Sequence, residues 1–279
     1  PADLAFVIDA GTGFLPFSLD ALGRKVRRIV VPHTHYHHDH TQGMMIAPPI
    51  FIDGVELSIL GPMENGWGPK EVYERLMTPP LHPMSIKKVI HHLTFQGMEE
   101  PSTKVIVVHP AEGMRVIDLP VFRRAVDKGK HINFRAGVNY PVEECLVVTM
   151  HWSQHPERTI AYRIEERPTG RVFVFLTDEE VRAEIPGTLQ TFLKGAHLLI
   201  EDAQYLEEVY RTRTAGYGHG TPGYAVRLAL MGGIPHLGLI HHDPTSSDDD
   251  IDALVAEGQL AADGQLTVFA CADRQEIEV

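Results

Sequence analysis

The sequence predicts an α/β fold in which β-strands form the inner layers and helices lie outside them. Three observations support this fold class. Short apolar runs of strand length follow one another through the middle of the chain, helical segments dominate its last third, and several strands end in histidine or aspartate. The chain has 279 residues, 43% of them hydrophobic, which is enough for a sizeable core. We expect a single domain over residues 1–279.

The first third of the chain alternates between strand and helix patterns. "LAFVIDAG" predicts a strand that ends in a glycine-rich turn, "LDALGRKV" predicts a short helix, and "RRIVV" predicts a second strand. "IFIDGVELSIL" at residues 50–60 contains two apolar alternations and therefore predicts a hairpin. "PKEVYERLM" predicts a helix that ends at the two prolines after it.

The middle of the chain is mostly β, and helices become frequent after Asp178. The predicted strands are "TKVIVVH", "MRVIDL", "ECLVVTM", "RTIAYRI" and "RVFVFL", followed later by "AHLLIED" and "HLGLI". Between and after the last two strands lie the helical segments "TPGYAVRLALMGG" and "DDDIDALVAEGQLA". Thr221 before Pro222 predicts a helix start, and Gly232 with Gly233 predicts its end.

Composition excludes several classes of function. The formal charge of −12 argues against binding of long structured nucleic acid, because phosphate contacts need clustered lysine and arginine. No apolar run approaches the length of a membrane span, and the first residues lack the pattern of a signal peptide, so we expect a cytoplasmic protein. Cys145 and Cys271 each lie in an apolar run, which is typical of buried free thiols.

The most unusual segment is "HTHYHHDH", residues 33–40, which directly follows a predicted strand. Imidazole and carboxylate are ligands that zinc, manganese and iron accept, so the segment suggests a metal site. Alternation turns His35 and His37 the same way, and Asp39 with His40 offers a second set of ligands. The alternatives are a solvated polar loop and an expression tag.

The same pattern, an apolar strand followed by a ligand-type residue, recurs at three other places. His155 lies in the turn between two predicted strands, Asp178 directly follows another, and His241 and His242 follow a third. Strand ends that deliver ligand-type side chains can build a site on one rim of a sheet. Four such places therefore predict a metal centre, with His241 preferred over His242 because it comes first after its strand.

With "VIDAGTG" upstream, this order of motifs resembles the metallo-β-lactamase fold superfamily of dinuclear metal hydrolases. The resemblance covers nearly the whole chain and implies a four-layer αββα sandwich, with two mixed β-sheets inside and helices outside. It implies that one metal is held by His35, His37 and His155, that the other is held by Asp39, His40 and His241, and that Asp178 bridges them. His33 and His38 have no place in that pattern, so we expect them to support ligands or lie at the surface. Family members begin with a further strand pair, which we expect to precede residue 1.

Within the superfamily, "GYGHGTPGYAVRLALMGG" most resembles the ribonuclease Z and phosphodiesterase branch. There a histidine followed by serine or threonine opens a helix shortly before the last ligand strand, which makes His219 the candidate proton donor. This sequence has "HGT" where "HST" is common. A lactamase with a cysteine ligand is excluded, because neither cysteine lies at a ligand position.

The resulting hypothesis is a hydrolase with two divalent metal ions, zinc preferred and manganese or iron as alternatives. Two such ions can share a water, lower its pKa and present a bridging hydroxide to a phosphodiester. Asp39 would ligate and orient that hydroxide, and His219 would protonate the leaving oxygen. The expected substrate is a small molecule or nucleotide.

Three alternatives stay open. The same metals could cleave a carboxylic ester, a lactone or a thioester, or the chain could be a non-catalytic binding or signalling domain. A homodimer is open as well. Six further histidines receive no metal role and are interpreted as surface or core residues: His91, His92, His109, His131, His151 and His236.

Overall fold

The computed structural model describes residues 3–129 and 131–279. The chain divides into two compact units, Pro1–Leu146 and Val147–Val279. In each unit a hydrophobic cluster joins helices to the face of a β-sheet. The expectation of one domain over residues 1–279 stays a prediction.

The first unit contains the strands β1 (Leu4–Phe6), β2 (Arg28–Pro32), β3 (Glu56–Pro62), β4 (Leu93–Met98), β5 (Lys104–His109), β6 (Gly113–Asp118), β7 (Ile132–Arg135) and β8 (Val138–Tyr140). Its helices are α1 (Phe14–Gly23), α2 (His38–Thr41), α3 (Pro69–Leu76) and α4 (Leu119–Asp127). Short 3₁₀ turns lie at Met44–Ile46, Pro48–Phe51, Ile86–Lys88, Ile90–His92, Pro101–Thr103 and Val142–Glu144.

Strands β1, β2, β3 and β4 form a four-stranded sheet in that order, and each neighbouring pair is parallel. Phe14 and Ala21 of α1 and Tyr73 of α3 pack with the buried faces of β2 and β3. Because parallel strands end at one edge of a sheet, β2 delivers the segment His33–His40 to the carboxyl edge of this sheet. The other two pairs, β5 with β6 and β7 with β8, are antiparallel.

The predicted hairpin at residues 50–60 is wrong. Ile50 and Phe51 end the 3₁₀ turn Pro48–Phe51, and residues 56–60 form the first part of β3, which pairs in parallel with β2 and β4. Two adjacent prolines cannot donate to a strand ladder, and Ile50 is fully buried in the core instead. The apolar alternation therefore reflects which side chains are buried here, and it does not predict strand pairing.

The second unit contains β9 (Leu146–Trp152), β10 (Ile160–Glu166), β11 (Arg171–Leu176), β12 (Leu198–Asp202), β13 (His236–Ile240) and β14 (Thr267–Ala270). Its helices are α5 (Gly187–Leu193), α6 (Glu207–Val209), α7 (Pro222–Gly232) and α8 (Asp248–Ala262), with a π-helical turn at Tyr210–Thr214. The strand order is β14-β13-β12-β11-β10-β9.

In this unit β11 to β14 pair in parallel, whereas β10 and β11 are antiparallel, so the sheet is mixed. Its helix face is covered by α5, α7 and α8. The helix starts follow the sequence: Thr221 accepts the backbone N–H of Tyr224, and Ser247 forms a capping box with Asp250. Gly233 ends α7 in the left-handed conformation, at φ 67°.

The parallel register decides which side chains meet at the carboxyl edge of this sheet. Leu176, Glu201 and Leu239 are neighbours across β11, β12 and β13, and Asp202 lies opposite Ile240. The residues that follow these strands therefore emerge side by side. No described helix has the length and apolar character that a membrane span requires.

Candidate metal centre

The histidine segment of the first unit lies directly after β2 and turns into α2. His35 and His40 are buried, whereas His37 and Asp39 are exposed. The ring of His35 lies 4.4 Å from that of His37 and 4.2 Å from that of His40, measured between ring centroids. Asp39 Oδ2 lies 3.2 Å from His40 Nε2. The structure thus brings together all four predicted ligands of this unit.

A buried carboxylate, Asp9, supports this segment from the turn after β1. It accepts the backbone N–H and the hydroxyl of Thr34, at 2.7 and 2.8 Å, and its Oδ2 lies 2.8 Å from His40 Nδ1. Burial alone would raise the pKa of Asp9, but the imidazoles of His40 and His33 hold its pKa below its ordinary value. An ionised Asp9 accepts the Nδ1–H of His40, which leaves Nε2 as the nitrogen with a lone pair.

The two histidines outside the ligand pattern have different surroundings. His33 is fully buried; its Nε2 lies 2.8 Å from the hydroxyl of Tyr73, and its Nδ1 lies 3.5 Å from Asp9 Oδ1. His38 is exposed on α2. His33 therefore helps to hold Asp9, and His38 lies at the surface, as expected of the pair.

Glycine in "DAGTG" lets the turn after β1 approach the histidine segment closely. A Cβ on Gly11 would lie 2.2 Å from the carbonyl oxygen of Asp39, and a Cβ on Gly43 would lie 1.9 Å from the carbonyl oxygen of Gly11. Neither position accepts a larger residue without backbone movement. Two backbone hydrogen bonds, from Ala10 to the His40 carbonyl and from Gly43 to the Ala10 carbonyl, join the same segments.

In the second unit, Asp178, His219 and His241 offer ligand atoms that lie within 4.8 Å of one another. The rings of His219 and His241 are stacked, with centroids 4.9 Å apart and planes 17° apart. A carboxylate oxygen of Asp178 lies 3.6 Å from His241 Nε2. His155 also comes within 4.8 Å of Asp178, measured between ligand atoms.

Two of these residues have left-handed backbones, at φ 51° for Asp178 and φ 63° for His241. Asp9 in the first unit has the same feature, at φ 62°. Each of the three follows a strand that pairs in parallel with a neighbour, and none is glycine. Positive φ is costly for such residues and persists where the surrounding structure requires it, which is common at functional sites.

His219 lies just before α7, and its orientation depends on Asp202 at the end of β12. Asp202 Oδ2 lies 2.8 Å from His219 Nδ1, and Asp202 Oδ1 accepts the backbone N–H of Gln204 at 3.0 Å. The bond to His219 places the Nδ1 proton between the two groups and leaves Nε2 on the other side of the ring. Burial raises the pKa of Asp202, the negative charge of Asp178 adds to that rise, and His219 opposes it.

The loops that carry His155 and His219 are anchored by the two glutamates after Asp178. Glu179 accepts the backbone N–H of Gln154 at 2.6 Å, directly before His155. Glu180 accepts the backbone N–H groups of Gly216 and Gly218, at 3.1 and 2.6 Å, directly before His219. The "TDEE" run therefore places one carboxylate with the histidines and uses the next two as anchors.

The imidazole of His155 is oriented by a carbonyl. Its Nδ1 lies 3.1 Å from the carbonyl oxygen of Gly218, which can only accept, so Nδ1 carries the proton and Nε2 carries the lone pair. Gly218 has φ 97°, and a Cβ there would lie 2.3 Å from the His155 ring. Only glycine permits this approach.

His241 and His242 differ in their contacts. His241 joins Asp178 and His219, whereas His242 belongs to none of the metal-ligand clusters of the described residues. The amide nitrogen of Gln204 lies 3.0 Å from His241 Nδ1 and 3.1 Å from the His241 carbonyl oxygen. In this arrangement Gln204 donates to Nδ1, so a neutral His241 carries its proton on Nε2. Ligation through Nε2 requires the amide to turn so that its oxygen accepts from Nδ1–H.

The donor chemistry of these residues fits divalent metal ions. His40 and His155 each have Nδ1 on an acceptor, which is the arrangement that metal-ligating histidines adopt when Nε2 binds the ion. Sequence reasoning missed the groups that create this arrangement, chiefly Asp9, Glu180 and Asp202. Asp9 was visible only as part of "VIDAGTG", and Asp202 only as the end of a predicted strand.

No protein-family model matches the sequence, and no curated protein matches it either. Solved structures do. A metallo-β-lactamase fold protein from Bacillus subtilis is 16% identical, with a TM-score of 0.58 over 98% of this chain and 87% of that one. A diphosphatase of the PhnP family is 15% identical, with a TM-score of 0.56 over 98% and 79% of the two chains. Human tRNase Z, short form, is 17% identical, with a TM-score of 0.55 over 99% and 88%. The chain therefore has the metallo-β-lactamase fold that its motifs predict.

Proposed function

We propose that this protein is a metal-dependent hydrolase that cleaves phosphodiester bonds in a small molecule or nucleotide. The observation that carries the proposal is the cluster of Asp178, His219 and His241. Asp202 binds His219 at Nδ1, so Nε2 of His219 is available for proton transfer. Two of the similar structures, a diphosphatase and a tRNase, have names that denote hydrolysis of phosphoric esters or anhydrides. Both likenesses support the reaction class.

The proposed ligand sets are those that the family resemblance implies. One ion would be held by His35, His37 and His155, the other by Asp39, His40 and His241, with Asp178 shared between them. The Nδ1 contacts of His40 and His155 support ligation through Nε2. Zinc is the preferred ion, because borderline imidazole and carboxylate donors suit it, and manganese or iron are the alternatives. Bound ions of this kind supply Lewis acidity and lower the pKa of a coordinated water.

The chain's own residues account for the rest of the reaction. As a water oxygen bonds to phosphorus and gives up a proton to solvent, the bond from phosphorus to the leaving oxygen breaks, and that oxygen takes a proton from His219 Nε2, which solvent then reprotonates. Asp202 holds the Nδ1 proton of His219 and stabilises its protonated form before the transfer. Asp39 is proposed to orient the attacking water as well as to bind metal.

The proposal is tested with chromogenic phosphodiester, phosphomonoester, lactone and thioester substrates, each assayed with zinc, manganese and iron. Phosphodiester hydrolysis that disappears in Asp178→Ala and persists in His236→Ala is the expected result, because His236 is an exposed residue on β13. Activity confined to esters, lactones or thioesters would overturn the substrate class. Carefully prepared protein that binds no metal and hydrolyses nothing would overturn the enzyme assignment.

A further inference from the structure

A second cluster of ligand-type side chains lies in the first unit, apart from the histidine segment. Asp53 lies in the turn between the 3₁₀ turn Pro48–Phe51 and β3, and His91 and His92 end the 3₁₀ turn before β4. One ligand atom from each of these three residues lies within 4.8 Å of the other two. Neither histidine was given a metal role from the sequence.

Hydrogen bonding selects the tautomer of His92. Its Nε2 lies 2.9 Å from the carbonyl oxygen of Ile50, which can only accept, so Nε2 carries the proton. A neutral ring then has its lone pair on Nδ1, which lies 3.3 Å from His91 Nε2. The two rings are nearly perpendicular, at 87°, with centroids 4.7 Å apart. A carbonyl on the remote nitrogen is the support that metal-binding histidines commonly have.

The distances favour a shared cation over direct hydrogen bonds. His91 Nε2 lies 3.3 Å from Asp53 Oδ1 as well as 3.3 Å from His92 Nδ1. Good N–H···O bonds cluster near about 2.9–3.0 Å, so both contacts are long. Ligands on a tetrahedral zinc ion with bonds of about 2.0–2.1 Å are separated by about 3.3 Å, which is the edge of that tetrahedron.

We propose that Asp53 Oδ1, His91 Nε2 and His92 Nδ1 bind a divalent cation of the zinc class. The side chains of His91 and Asp53 are 64% and 93% exposed, so water can reach the ion and complete a tetrahedron. Two imidazoles and one carboxylate favour zinc, nickel or copper over magnesium or calcium, which prefer oxygen ligands.

The position of the cluster gives the ion a structural role. The residues flank the amino ends of β3 and β4, which are neighbours, and β4 ends the four-stranded sheet. An ion held by one residue before β3 and two before β4 would fasten the edge strand to its neighbour. This role is independent of the proposed hydrolase function.

The test is equilibrium dialysis of the full chain against zinc, with bound metal counted in wild type, His91→Ala and the control His131→Ala, an exposed histidine of the same unit. We expect His91→Ala to bind one equivalent fewer than both other proteins, whatever number the candidate metal centre binds. Asp53→Asn should retain the site with an affinity at least about tenfold weaker, because one charged ligand is lost. Equal zinc content in wild type and His91→Ala would overturn the proposal.

A site-resolved measurement keeps the test valid if His91→Ala folds poorly. Wild-type protein is treated with diethyl pyrocarbonate with and without zinc, and the modified histidines are mapped by mass spectrometry. Zinc should lower the labelling of His91 several-fold and leave that of His131 unchanged. Equal protection of both histidines, or of neither, would contradict a site at the cluster.

Discussion

The two units each hold histidines at the carboxyl ends of parallel strands, but the carboxylates that support these histidines have pKa values shifted in opposite directions. In the first unit Asp9 has a lowered pKa and binds His40 Nδ1 while it also accepts from Thr34. In the second unit Asp202 has a raised pKa and binds His219 Nδ1. Asp9 supports a histidine that the proposed function assigns to a metal ion, whereas Asp202 supports the histidine that it assigns to proton transfer.

The largest effect is expected at Asp178, because the proposed function depends on it for both ions. Asp178→Ala should lower phosphodiester hydrolysis by about 10³-fold or more, since metal ions contribute several kcal/mol of transition-state stabilisation. Activity is measured at saturating metal, together with metal content. Asp263→Ala is a matched control, because Asp263 also has a left-handed backbone, at φ 46°, but ends α8. An equal loss of activity in both variants would show that the loss comes from the left-handed backbone and not from metal binding.

The next largest effect is expected at Asp202, and it distinguishes the role of Asp202 from that of Asp9. Asp202→Asn should lower kcat by about 10²-fold, because His219 loses the partner that stabilises its protonated form, while metal affinity changes little. The readouts are kcat across pH and metal content. The alkaline limb of the pH profile, along which a proton donor loses its proton, should move to lower pH, since a less stabilised imidazolium has a lower pKa. A variant with lost metal and an unmoved pH profile would contradict this role for Asp202.

Asp9→Asn should show the converse pattern. We expect metal affinity to fall about 10- to 100-fold, because the group that orients His40 loses its charge, while kcat at saturating metal stays within about tenfold. Competition with a chromogenic chelator gives the affinity. If both carboxylate variants change kcat and metal affinity to the same extent, the contrast between the two units does not hold.

The smallest effect is expected at Glu201, a buried carboxylate that supports no histidine. Neither of its oxygens has a hydrogen-bond partner among the described residues. Burial raises its pKa well above the ordinary value, and the charges of Glu179 and Asp202 add to that rise. Glu201→Met should therefore stabilise the protein by about 1–3 kcal/mol at neutral pH, measured by denaturant unfolding.

The pH dependence gives this prediction its sign. The folded state keeps the proton of Glu201 to a higher pH than the unfolded chain, whose glutamate has a pKa of about 4.3. This residue therefore lowers stability progressively as pH rises from there through its folded pKa. Glu201→Gln should remove that slope while it leaves a polar group buried. A slope unchanged in both variants would show that Glu201 does not titrate abnormally.

Sequence reasoning found the ligand types because they follow strands, and strands are visible as apolar runs. It placed Asp178 and His241 after β11 and β13, where the structure has them. It did not anticipate their left-handed backbones, because positive φ leaves a signal only when glycine supplies it. A non-glycine residue in that conformation is held by tertiary contacts that a single sequence does not display.

The secondary structure, like the candidate site, could be predicted in part from the sequence. Helix α7 follows from Thr221, Pro222 and Gly233, since local capping chemistry decides its ends. The hairpin at residues 50–60 was wrong, because strand partners are chosen by tertiary packing and not by apolar alternation. Strands β4, β7, β8 and β14 were not predicted. Asp9 and Asp202 were missed for a related reason. The sequence around a single carboxylate near a strand end does not show whether that carboxylate supports a histidine or faces solvent.

The central claim, that His219 donates the proton to a phosphodiester leaving group, is tested most directly by the dependence of rate on leaving-group pKa. A series of phosphodiesters with phenol and alcohol leaving groups is hydrolysed by wild type, His219→Ala and the control His236→Ala. His219→Ala should lose about 10²- to 10⁴-fold with alcohols but little with nitrophenols, whose anions leave without a proton. The same loss across the whole series, or none, would contradict proton donation by His219.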